Sequence, residues 1–365
     1  MQKVYIYLEN GTFLEGNSFG ANTTQIGKLV YNNATTGHQE IITDPANAGL
    51  FINFTTAEIG NIGANRVDFE STKAHAKGVI VRTYHDKYSN YRADYSLSEL
   101  LKQEGLIGIC DIDTRYLTKI VREEGTQLMI ASTEISSKEE LAKKLQEATK
   151  YDDINFLKDV STKEAYIHKS GAWNMETQDF NKASMSDKKV VVIDFGVKKS
   201  VLNELVESGL EVEVVPSSTK ADTLIKRFEA KEIGGIFLSS GAGNPNILKD
   251  EITEIKKLLD ANIPIFAMGL GHLLLALANG VKVERLKSMK YGSHPIKDEK
   301  TVEIFTLNTD YEVSSDINKF ADITYTNLFT NHSAGLKYKN KDIFSVSFYP
   351  PSNSKVYKEF AQLVK

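Results

Sequence analysis

From Lys189 onward the chain alternates short, wholly apolar runs with amphipathic stretches, a rhythm that leaves few folds open. Val190–Ile193 is apolar throughout, Lys198–Ser208 has helical spacing and Glu211–Val215 is again a strand. The order continues with a helix over Ala221–Ala230, a strand at Gly234–Leu238 and a helix over Glu251–Ala261. A strand at Pro264–Met268 then runs into a helix at Gly271–Asn279. Apolar strands this short are buried on both faces, and the helices between them supply the cover. The pattern therefore predicts an α/β domain with a doubly wound (flavodoxin-like) parallel sheet. Ligands in such sheets bind at the carboxyl ends of the strands.

The first half reads differently. Val4–Leu8, a turn at Glu9-Asn10-Gly11 and Thr12–Glu15 predict a hairpin, and Lys28–Tyr31, Leu50–Phe54 and Gly78–Arg82 are further short strands. Ser96–Glu104 opens on a capping-box-like Ser-Leu-Ser-Glu, and Thr114–Glu124 has apolar residues at helical spacing. Ser137–Ala148 is a charged amphipathic helix behind a Ser N-cap. These signals predict an N-terminal β-rich, mixed α/β domain over 1–150, a linker over 151–187 and the doubly wound domain over 188–365. The linker ends in the polar run Lys182–Lys188, although Ala172-Trp173 suggests that part of it packs on something.

Composition narrows the function. The 365 residues carry 44 Lys+Arg against 48 Asp+Glu, a formal net charge of −4, which gives no electrostatic reason to expect nucleic acid. No run approaches the ~20 apolar residues of a membrane span, and the start reads as an alternating strand rather than a signal peptide. No membrane partner and a cytoplasmic location are the expectations. The single cysteine, Cys110, excludes an internal disulfide and a multi-cysteine metal site. A lone cysteine is either a nucleophile or a small buried hydrophobe. The histidines His38, His75, His85, His168 and His332 show no ligand pair at helical spacing, so no metal is expected.

Two strand ends carry candidate chemistry. In Phe237-Leu238-Ser239-Ser240-Gly241-Ala242-Gly243-Asn244-Pro245, glycines after a buried strand would let backbone N–H groups approach an anion, although a glycine-rich turn is more often only a turn. In Ile265-Phe266-Ala267-Met268-Gly269-Leu270-Gly271-His272-Leu273-Leu274, a strand turns abruptly into a helix at Gly269. That is the pattern of a nucleophile elbow, where a cysteine would have its pKa lowered by the helix N-terminus. Here the pivot has no side chain.

At these residues the second half resembles the triad-type (class I) glutamine amidotransferases, whose elbow reads G-[IV]-C-x-G-H-Q. The whole chain is similar to the small, glutamine-hydrolysing subunit of carbamoyl phosphate synthetase. The likeness is carried by residues 32–45 (Asn-Asn-Ala-Thr-Thr-Gly-His-Gln-Glu-Ile-Ile-Thr-Asp-Pro), by residues 59–65, by Asp111-Ile112-Asp113-Thr114-Arg115 and by Asp194-Phe195-Gly196-Val197-Lys198. In that family the elbow cysteine attacks the glutamine amide, a histidine serves as base and a glutamate orients it. Carried over position by position, the nucleophile falls on Gly269, the base on Tyr349 and the orienter on Pro351. All three catalytic groups are missing.

The resemblance also places substrate positions. Gly241, Gly243, Leu270, Asn308 and Tyr311 would be remnants of the glutamine site. Ala46, Leu273 and Asp310 stand where the family has a serine, a glutamine and a glycine. The stretch Met289–Pro295 is shorter than its family counterpart. Cys110, in the apolar run Leu106–Cys110, lies in the wrong domain and reads as a packing residue. His272, His294, Asp194 and the Asp111/Asp113 pair read as structural, the last as a salt-bridged turn.

The resemblance implies a role in supplying carbamoyl phosphate to pyrimidine and arginine synthesis. The expected partner is the large synthetase subunit, contacted through the 1–150 domain and holding ATP and divalent metal, with no cofactor in this chain and at most weak glutamine binding. Three functions stay open: a non-hydrolysing small subunit (a pseudoenzyme in a heterodimer), an active glutaminase, or a scaffold or ligand-binding protein detached from the synthetase. Loss of the reacting groups and substrate positions, with the helix pattern, strand ends and elbow glycines kept, favours the first.

Overall fold

The computed structural model describes residues 1–183 and 186–365, with only the backbone described at 287–290. The chain divides into two compact units, Met1–Phe156 with Lys287–Gly292, and Leu157–Leu286 with Ser293–Lys365.

The first unit is built on a closed barrel. Around it run Gln2–Leu8, Phe13–Ser18, Ile107–Cys110, Gly78–Ile80, Leu50–Phe54, Thr24–Asn32 and Gln127–Ser132. The expected hairpin forms, with Val4 opposite Gly16 and Ile6 opposite Leu14, and the Asn10 side chain accepts from the Thr12 N–H at 3.0 Å to set the turn. Around the barrel lie helices with the predicted starts. At Leu97–Gln103 both halves of the capping box are made, Glu99 N–H to Ser96 and Ser96 N–H to Glu99. Helix Thr114–Glu124 starts on Asp113, whose carboxylate accepts from the Tyr116 N–H, and it buries Leu117, Ile120 and Val121 against Thr24–Asn32 and Leu50–Phe54. Asp111 and Asp113 therefore do not share a strand face or form a salt-bridged turn. Asp111 is a left-handed residue (φ 57°) that accepts from Asn17, and Asp113 is a helix cap.

The second unit carries the doubly wound sheet. Its parallel block runs in the order Glu211–Pro216, Lys189–Asp194, Gly235–Leu238, Ile265–Met268, Ile343–Val346. The order reverses beside the first strand. Right-handed crossovers then send helix Lys199–Glu207 to one face and Ala221–Glu229, Lys249–Asp260 and Leu270–Ala278 to the other. The C-terminal helix Lys355–Leu363 packs on Lys199–Glu207. Phe266 lies at the centre of the aromatic core, with ring centroids 5.0 Å from Phe237, 4.7 Å from Phe344 and 5.7 Å from Phe360.

Beyond Asn279, where no strands are read from the sequence, the sheet continues antiparallel through Ser333–Tyr338, Ala321–Asn327, Val283–Lys297 and Val302–Val313. The 151–187 stretch is also structured. Tyr151 anchors its start in the first unit through a hydroxyl bond to the Ala48 carbonyl, 3.0 Å. Tyr166–His168 adds an antiparallel edge to Glu211–Pro216. Ser170–Asn174 and Asp179–Lys182 form a hairpin in which Trp173 meets Phe180 edge-on at 5.1 Å, and the Ala172 N–H donates to Glu207. Ser184 and Met185, within the polar run, lie outside the described residues.

Candidate functional site

The elbow survives in its backbone. Strand Ile265–Met268 stops at Gly269, whose φ of 54° and ψ of −114° lie in a region that strains any residue with a side chain. The Gly269 N–H donates to the Val346 carbonyl at 3.0 Å, so the pivot is held by the neighbouring strand. Helix Leu270–Ala278 starts at the next residue. A Cβ at 269 would lie 3.1 Å from the Ser240 Cβ, a snug fit that requires Ser240 to give slightly.

Beneath the pivot three strand ends are tied together. Ser239 and Ser240 are fully buried. The Ser239 hydroxyl accepts from the Phe195 N–H and donates to the Ser240 carbonyl, both at 2.8 Å. The Gly271 N–H donates to the Ser239 carbonyl at 3.0 Å. Gly241 fits because a Cβ there would sit 2.1 Å from the Phe195 carbonyl oxygen. After Gly243, Asn244 caps the short turn Pro245–Ile247. The Asn244 cap and the close approach of Gly241 to Phe195 fix the course of the glycine-rich turn.

The side-chain positions are filled otherwise. Strand Ile343–Val346, beside the elbow strand, leads to Tyr349, whose N–H donates to the Thr306 carbonyl at 2.9 Å. Its ring carries the Lys198 ammonium 4.7 Å from the ring centroid. Pro351 is solvent-exposed. Just beyond it, the Ser352 hydroxyl and the Asn353 N–H (2.7 Å) both bond the carboxylate of Glu204, a buried residue of helix Lys199–Glu207. Glu204 pins the loop that in an active triad would present the orienting group. The sequence reading missed it, although an acid on the apolar face of that helix was the available signal.

The remnant positions lie on several elements, with the Leu270 side chain against Gly241. Asn308, Asp310 and Tyr311 lie along strand Val302–Val313, with Asp310 and Tyr311 buried, and this strand meets Tyr349 through Thr306. Leu270 and Leu273 are buried in the first turn of the elbow helix. Ala46 lies in the first unit, in the turn Pro45–Asn47, where its N–H donates to Asp44 at 2.9 Å. Of Met289–Pro295, the side chains of Met289 and Lys290 lie outside the described residues.

The other residues singled out in the sequence are engaged as follows. Cys110 ends a barrel strand, is 1% exposed, and burial with the nearby Asp111 pushes its thiol up to about 12. A thiol held protonated is no nucleophile. His272 is buried and bonded through Nδ1 to the Ser345 hydroxyl at 2.8 Å, and His294 packs its ring against Phe329. Asp194 accepts three backbone N–H groups, from Thr162 at 2.7 Å and from Gly196 and Val197 at 2.8 Å, as a structural clasp.

Residues 191–361, which carry the parallel sheet and the strand-to-helix elbow, match the class I glutamine amidotransferase family model. Residues 6–131 match the carbamoyl-phosphate synthase small chain, CPSase domain. The carbamoyl phosphate synthase small chain of Campylobacter jejuni is 47% identical, covering 99% of this chain and 100% of its own length. Those of Helicobacter hepaticus (43%, covering 100% and 98%) and Helicobacter pylori (44%, covering 99% of each) are similar over the same span. The chain belongs to the carbamoyl phosphate synthase small chain family.

Proposed function

We propose that this chain is a non-hydrolysing small subunit of carbamoyl phosphate synthase, a structural and regulatory partner of the large synthase chain that leaves the nitrogen to come from free ammonia. The observation that carries this is Gly269, a fully formed elbow with no atom to attack an amide. A thioester needs a thiolate, and the one thiol in the sequence, Cys110, is buried and held protonated. A proton transfer to the leaving amine needs a positioned acid–base group. The two family positions for that work hold a ring beneath an ammonium and a proline in solvent. We assign ATP and its divalent metal to the large chain, as the family resemblance implies.

The test is carbamoyl phosphate synthesis by the reconstituted pair with ATP and magnesium, comparing nitrogen donors. Synthesis with ammonium and none above blank with glutamine is expected. Glutamine turnover that one substitution in this chain abolishes would overturn the proposal.

A further inference from the structure

We propose that Asn10 is a self-modification site: it deamidates at a rate that Glu124 restrains, and its conversion cuts the tie between the first hairpin and helix Thr114–Glu124. Asn10-Gly11 is one of two Asn-Gly pairs in the sequence. It lies in the turn between Gln2–Leu8 and Phe13–Ser18, with Asn10 exposed and Gly11 at a φ of 88°. A glycine after asparagine leaves the peptide nitrogen unhindered for attack on the side-chain amide. The Gly11 nitrogen bonds to the Asn10 Cγ, the Cγ–Nδ2 bond breaks, and ammonia leaves with the proton of the Gly11 amide. Water then opens the cyclic imide at either carbonyl, giving aspartate or isoaspartate with a negative charge that the amide lacked.

Hydrogen bonds of the folded turn oppose the first step. The Asn10 side chain is held at both ends, its Oδ1 accepting from the Thr12 N–H at 3.0 Å and its Nδ2 donating to Glu124 Oε2 at 2.8 Å. The attacking group is held as well, since the Gly11 N–H donates to the Leu8 carbonyl at 2.9 Å. The bond to Glu124 also makes conversion a structural event. Aspartate has no donor for Glu124, so two carboxylates would face each other where a hydrogen bond stood. Glu124 ends its helix, where the dipole already disfavours negative charge, and Glu9 brings a further carboxylate, held by the Leu128 N–H at 3.2 Å. Isoaspartate adds a methylene to the backbone of the turn. The other pair, Asn279-Gly280, is tied differently: its amide donates to the Leu275 carbonyl of its own helix at 2.9 Å.

The experiment ages the full-length chain in mildly alkaline buffer and follows each asparagine by peptide mass spectrometry. The folded chain should convert Asn10 more slowly than the chain in urea. Glu124→Ala should speed that conversion roughly two- to tenfold, the worth of one hydrogen bond, and leave the rate at Asn279 unchanged. A second arm reads urea midpoints: Asn10→Asp should fall below the unaltered chain, and Asn10→Asp with Glu124→Gln should recover, because the new amide donates to the new carboxylate. Matching circular dichroism checks that the variants fold. Equal Asn10 rates in the folded chain and in urea, or in the unaltered and Glu124→Ala chains, would overturn the restraint. An Asn10→Asp midpoint that does not fall, or that Glu124→Gln does not restore, would overturn the structural consequence.

Discussion

At Gly269 a conformation that suits glycine coincides with the place where a nucleophile would stand. Replacing it with cysteine puts a Cβ against Ser240 and a side chain at positive φ. The Gly269→Cys variant is expected to be less stable by about 1–2 kcal/mol in urea unfolding, the usual penalty for a side chain in this region. It should release no ammonia from glutamine, because Tyr349 and Pro351 still supply neither base nor orienter. Adding Tyr349→His and Pro351→Glu should not restore turnover, since Leu273 and Asp310 replace substrate positions as well. Cys110 gives a second residue-level outcome. With its thiol pushed up to about 12 and its sulfur buried, it should resist alkylation at pH 8 in the native chain and label fully in denaturant, scored by intact mass. The residues at the three motif positions, Gly269, Tyr349 and Pro351, were legible in the sequence because a motif fixes each position. Glu204 was not, because its partners Ser352 and Asn353 are brought to it only by the fold.

The strand–helix alternation from Lys189 to Asn279 was legible element by element, since strands buried on both faces leave uninterrupted apolar runs. The later strands were not. Val302–Val313 alternates buried Phe305 and Leu307 with exposed Ile304 and Thr306, and a half-solvated antiparallel strand carries a weaker signal than a buried parallel one. Asp194 shows what an element end adds. Burial raises its pKa above the ordinary carboxylate value, and the three backbone N–H groups only partly pull it back. The folded state therefore binds this proton more readily than the unfolded chain, so the term favours folding below the unfolded pKa and is lost as pH rises through the folded one. Unfolding free energies of the unaltered chain and Asp194→Asn, measured from pH 7 down to about pH 4, should show the unaltered chain gaining relative to the variant as pH falls. A difference that is flat, or of opposite slope, would remove the buried carboxylate from the account.

For the molecule as a whole, the energetic centre of the second unit is the Phe266 cluster, where rings from strands and the C-terminal helix meet. Phe266→Ala should lower stability by about 3–5 kcal/mol, the usual range for emptying a buried aromatic site, read as a shift of the unfolding midpoint. The sequence by itself determined the secondary-structure rhythm and placed glycine, tyrosine and proline at the positions that the family resemblance gives to nucleophile, base and orienter, because periodicity and side-chain identity are local properties. The tertiary structure alone decided that Gly269 keeps the elbow geometry. It also decided that Lys198 covers Tyr349, that residues 287–292 group with the first unit, and that Arg115 and Arg122 have no carboxylate partner among the described residues. Each of these depends on segments far apart in the chain being brought together, and no spacing along a sequence encodes which distant group will meet it.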